Sequence, residues 1–146
     1  MSRSIAIATA ALLFVFAPGA QAQTAKWDQA AVTAAAGELE SAVSGLRDAV
    51  RKSNAWTMTA NRSKLHEITQ DLRQIEWLAA SLHADLKGGE GLEATTPVYE
   101  QILQRREYAK ADAAFLDMNE FVKPKLEASR AALAKLSSYY AKQPSP

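Results

Sequence analysis

The sequence predicts an all-α protein, an antiparallel up-down helical bundle of four helices behind an export signal. Three observations carry that prediction. Apolar residues recur at steps of three and four along the long segments of the chain. Residues 24–87 contain no proline and are rich in alanine, and both features favour helix. Glycine clusters only at 88–91, where one such segment stops.

Residues 1–22 have the three parts of a secretory signal. Arg3 supplies a positive charge, residues 5–17 form an unbroken run dominated by Ala, Ile, Leu, Val and Phe, and Pro18-Gly19 breaks the run. Ala20 and Ala22 then offer the small residues a signal peptidase requires. The run falls short of the about 20 apolar residues that cross a bilayer, so cleavage after Ala22 is expected rather than retention as an anchor. The expected product is a single helical-bundle domain, residues 23–146, in the periplasm or secreted. Removing the leader removes Arg3 and no acid, which leaves that domain without net charge. A neutral chain without a basic block lacks the electrostatic footprint of a nucleic-acid binder, and no membrane insertion is expected after cleavage. The chain has no cysteine, so neither disulfides nor a lipid anchor on cysteine is available.

The first helix is expected over residues 26–52. Val32, Leu39 and Leu46 form one row, Ala36, Val43 and Val50 a second, and Ala35, Ala42 and Ala49 a third. Together they make one broad apolar stripe whose alanines admit a close neighbour. Asp28 near the start and Arg47, Arg51 and Lys52 near the end suit the helix dipole. Residues 53–56 read as a turn. The second helix is expected from Thr57 or Thr59 to Lys87, with Met58, Asn61, Leu65, Ile68, Leu72, Ile75, Ala79, Leu82 and Leu86 as its seam. Asn61, the one polar member, is a candidate cap.

After the glycines a loop is expected to run to Thr95, with Thr96 capping a third helix and Pro97 in its first position. That helix should reach Leu116 at least. It is apolar on more than one side: Tyr108, Ala111, Phe115, Met118 and Val122 on one, Ala109, Ala113 and Leu116 on another. Leu126, Leu133, Leu136 and Tyr140 continue a pattern toward the end. Pro124 divides two architectures, because proline inside a helix removes a hydrogen bond and clashes with the preceding turn. The favoured one stops the third helix at Asn119 and folds a fourth back from Pro124. The alternative has three helices, the third a single rod over 97–141 kinked at Pro124. At about 1.5 Å per residue that rod would be about 67 Å long and would leave Leu133, Leu136, Tyr139 and Tyr140 uncovered.

No reactive constellation is visible. His66 and His83 lie about 100° apart around one helix and cannot share a metal within one chain. Ser63 and Ala80 stand where a di-iron bundle would need glutamate three residues before each histidine. Covalent haem needs cysteines that are absent. Non-covalent haem would need two inward ligands, for which His83 with Met118 or Met58 are the candidates. No catalytic residue, cofactor or metal site is therefore expected, and the chain reads as a non-enzyme. Trp77 departs from a plain bundle. It lies opposite the seam of the second helix, with Arg73, Ala80 and Ala84 around it, the composition of an interface. Its cover is either the fourth helix or the loop after Lys87, or another chain. The functional expectation is a bundle acting through protein contact, as a homodimer or with a periplasmic protein. The alternative expectation is a bundle holding haem or another apolar small molecule between its helices.

Overall fold

A computed structural model describes residues 25–53, 62–113 and 120–141. It contains four helices in an up-down order: α1 (Gln29–Lys52), α2 (Arg62–Lys87), α3 (Leu92–Ala113) and α4 (Val122–Tyr140). The signal segment, the turn after Ser53 with Met58 and Asn61, and the stop at Asn119 lie outside the described residues. So do Phe115, Leu116 and Met118.

The helices pack because each carries a seam stepping by four and three. On α1 it is Val32, Ala36, Leu39, Val43, Leu46 and Val50, and on α2 it is Leu65, Ile68, Leu72, Ile75, Ala79, Leu82 and Leu86; all are buried. Such a stripe turns one side of a helix inward and leaves the charged side in water. α1 packs against both α2 and α4, and α2 also packs against α3. Leu78, absent from the seam read in the sequence, is buried too. A helix with two neighbours needs a wider stripe than a single row supplies.

The fourth helix folds back. α4 opens at Val122, and Pro124 falls in its first turn, where its missing N–H has no intrahelical partner to lose. α4 then lies along α1 and buries Leu133 and Leu136, so the kinked three-helix rod is not the architecture.

Two boundaries differ from the sequence reading. α1 starts at Gln29, three residues late, because the Asp28 carboxylate accepts the Ala31 N–H at 2.9 Å and caps the helix. α3 starts at Leu92, before Thr96-Pro97. The loop is short because Gly89, at φ 95°, takes the left-handed turn that ends α2. The Gly91 carbonyl then accepts from the Thr95 N–H at 3.2 Å, which is already a helical bond. Thr95 and Thr96 turn their hydroxyls back onto the Gly91 and Leu92 carbonyls instead of capping forward. Pro97 sits in the second turn, where it forfeits the hydrogen bond to the Glu93 carbonyl and its ring crowds that carbonyl.

One end of the bundle is tied shut. Ala25 N–H donates to the Ser138 carbonyl at 2.9 Å, and Gln29 donates to the carbonyls of Leu86 and Glu90. Tyr140 stacks on Tyr99 at 4.2 Å between centroids and meets Trp27 edge-on at 5.6 Å. Tyr99 donates to the Ser137 hydroxyl, and Tyr140 and Thr95 share a hydrogen bond of 2.7 Å. Here α3 and α4 are fastened together. At the other end they part.

A candidate ligand cavity between the four helices

The parting follows from what the seams of α3 and α4 contain. The inward row of α3 runs Thr95, Tyr99, Ile102, Arg106, Ala109 and Ala113, again in steps of four and three. Only the first three are buried. Where α1 and α2 continue with leucine, isoleucine or valine, α3 offers an arginine and two alanines. The facing row of α4 has a serine, Ser129, between Leu126 and Leu133. The rows of α3 and α4 therefore carry less apolar bulk than those of α1 and α2 where Ala109, Ala113 and Ser129 stand, and the space there is not filled.

The result, among the described residues, is a cavity of about 590 Å3 lined by all four helices. Leu39, Val43, Leu46 and Val50 form its α1 wall, and Ile68, Leu72 and Ile75 its α2 wall. Ile102, Ala109 and Ala113 line it from α3, and Leu126 and Leu133 from α4. Arg106 and Lys110 of α3 and Arg130 of α4, all exposed, complete the lining at its solvent side. Ser129 is its one neutral polar member, and that hydroxyl already donates to the Lys125 carbonyl at 2.9 Å. A second depression, between α1 and α4 over Gly37, Ser41, Ala42 and Ala132, is shallow and open to solvent.

The seams outside the cavity are braced by charge. Arg47 pairs with Glu76 between α1 and α2, and Lys135 with Glu38 between α1 and α4. Lys64 meets Asp112 at 2.8 Å and Glu67 at 2.9 Å; these hydrogen bonds, the Asp112 one foremost, hold its ammonium charged well above the ordinary lysine range. Burial pushes the Asp71 carboxyl up, with Arg105 at 3.7 Å opposing that shift.

The residues singled out in the sequence fall elsewhere. His66 is exposed. His83 lies over Gly37, within 3.1 Å of where a β-carbon there would stand, and its Nδ1 is 2.9 Å from the Glu40 carboxylate. Glycine at 37 is what admits the ring between α1 and α2. Neither histidine lines the cavity, and Met58 and Met118 lie outside the described residues. Among the described residues no three His, Asp or Glu side chains gather as a metal site would need. Trp77 is 69% exposed, Arg73 and Ala84 are exposed and Ala80 is half-buried. Among the described residues, neither α4, which lies along α1, nor the four-residue loop after Lys87 encloses the indole. Of the apolar side read as Tyr108, Ala111, Phe115, Met118 and Val122, Tyr108 and Ala111 face solvent and Val122 is buried at the start of α4, and the Tyr108 ring has the Arg105 guanidinium 5.9 Å away.

Fold and cavity together define a class: a four-helix bundle with an apolar chamber and a cationic mouth. Compared with protein-family models, curated proteins and solved structures, the chain matches none. Among the described residues no helix is long and apolar enough to cross a membrane.

Proposed function

We propose that this chain is an exported binding protein that holds an apolar small molecule between its helices. The cavity is the observation that supports this reading most. Its volume falls inside the about 300–1,000 Å3 of ordinary ligand sites. Protein interiors otherwise pack at crystal-like density, with few voids larger than a water. Export rests on the signal-like residues 1–22, and no catalytic role is assigned. Haem is the less favoured occupant, because among the described residues the lining offers no histidine, methionine or tyrosine to coordinate iron.

A neutral naphthylamine dye tests the reading. The folded protein should bind it saturably, with a fluorescence rise and a stoichiometry near one. Ala109→Trp, which drives an indole into the chamber from α3, should weaken dye binding by about tenfold or more while helicity is kept. A protein that gives no saturable rise, or a variant that binds as well as the parent, would falsify the cavity reading.

The exposed Trp77 favours a second reading, contact with another chain. An uncovered indole beside Arg73, Ala80 and Ala84 spends a large apolar area on solvent, and tryptophan and arginine are enriched where partners bind. In its homodimer form, the native mass at high concentration should exceed one chain. Trp77→Ala should lower that mass and shift folding stability by less than about 0.5 kcal/mol. Equal masses for parent and variant would remove self-association through this face.

A further inference from the structure

We infer that the occupant of the cavity is a single-chain amphiphile with a carboxylate head, a free fatty acid in chemical class. The inference rests on the binding reading above and adds the identity of the head group.

The charge of the lining is one-sided. Among the described residues it contains Arg106, Lys110 and Arg130 and no acid. Arg106 and Lys110 are four residues apart and so share a face of α3, while Arg130 stands on α4. All three side chains are exposed, so they line the chamber where it meets solvent. Their present partners are surface carboxylates: Glu107 lies 3.4 Å from Arg106 and 3.8 Å from Lys110, and Glu127 lies 2.7 Å from Arg130. Among these five side chains the cations outnumber the acids by one, the complement of one monoanion. Exposed ion pairs of this kind are weak and salt-screened, so a ligand carboxylate can replace them. An arginine fork also matches a carboxylate with two parallel hydrogen bonds.

The interior asks for a hydrocarbon. Beyond the mouth the walls are aliphatic, and Ser129 spends its proton on its own helix. A ligand with polar groups along its body would bury them without partners. The α1 wall runs from Leu39 to Val50, which at about 1.5 Å per residue is about 16 Å. A zigzag of ~1.5 Å bonds advances about 1.3 Å per carbon, so roughly a dozen methylenes span it.

Displacement of the bound neutral dye tests the head group. Dodecanoate, dodecanol and dodecyltrimethylammonium share a chain and differ in charge. Dodecanoate should displace the dye at about a tenth or less of the concentration either of the others needs, and added salt should narrow that gap. In the triple variant Arg106→Gln, Lys110→Gln, Arg130→Gln the ratio of dodecanol to dodecanoate should fall to near one. Arg130→Gln alone should lower it part of the way, which keeps the test intact if the triple variant folds poorly. Equal displacement by the three probes, or a preference that survives the variants, overturns the head-group assignment and leaves the cavity reading standing. A parent protein that binds no dye and no dodecanoate overturns both. Uptake only by anionic phospholipid vesicles, with no response to dodecanoate, makes the basic mouth a membrane contact and also overturns the assignment.

Discussion

Leu82→Ala should destabilise the fold by about 3–5 kcal/mol in equilibrium unfolding, more than any truncation on the cavity wall. Leu82 is fully buried on α2, in the half of the bundle where neighbours enclose it on all sides. Deleting its isobutyl group loses the transfer free energy and opens a void that packed helices cannot close. Leu72, ten residues earlier on the same seam, is 5% exposed and already borders the chamber. A side chain with empty space on one side has fewer contacts to lose, so Leu72→Ala should cost about 2–3 kcal/mol. Glu67→Ala on the outer face should stay within about 0.5 kcal/mol. If Leu72→Ala costs as much as Leu82→Ala, the chamber is as tightly packed as the rest of the core, and the ligand reading loses its basis.

That difference also marks what the sequence could and could not reveal. The rows of α1 and α2 were legible because every position but Asn61 is apolar, and a helix-period pattern in large side chains leaves little choice of inward face. The fold-back at Pro124 was legible from the cost of the alternative, a rod with its last apolar residues in water. The row of α3 was legible only in part. Ala109 and Ala113 were read as one of two apolar sides, but Arg106 breaks their continuity with Ile102, and Tyr108 draws the eye to a face that is exposed. The signal was present as a deficit: the steps of four and three persist, but the volume at them drops. A row that keeps its period while losing its bulk predicts a space, and Arg106 and Lys110 at its edge predict the charge of that space's mouth. The start of α3 was misplaced for a different reason. A proline preceded by threonine suggests a helix start, yet Gly91 admits a start five residues earlier, with Thr95 held by tertiary contact with Tyr140.

Tyr140→Ala should cost about 2–3 kcal/mol and loosen the fastening of α3 to α4. The ring is sandwiched by stacking on Tyr99 and the edge of Trp27, so its removal leaves two aromatic faces without a partner. Its hydroxyl supplies a further bond. Thr95, 1% exposed, and Tyr140 share a hydrogen bond of 2.7 Å between their hydroxyls. Tyr140→Phe keeps the rings and removes that one bond, so it should cost about 1 kcal/mol. The two variants also separate through pH. Burial raises the phenol above its ordinary 10.0, and the Thr95 hydrogen bond opposes that shift. A group whose folded value is raised lends stability that is complete below its unfolded value and is lost as pH rises through the folded one. The parent should therefore lose stability on titration upward from about pH 10, and Tyr140→Phe should lose less over the same range. Fluorescence-monitored unfolding across that range measures both effects. Should Tyr140→Phe follow the parent's alkaline loss without reduction, another group carries it. Should Tyr140→Ala unfold no more easily than Tyr140→Phe, the aromatic cluster is not what holds this end of the bundle closed.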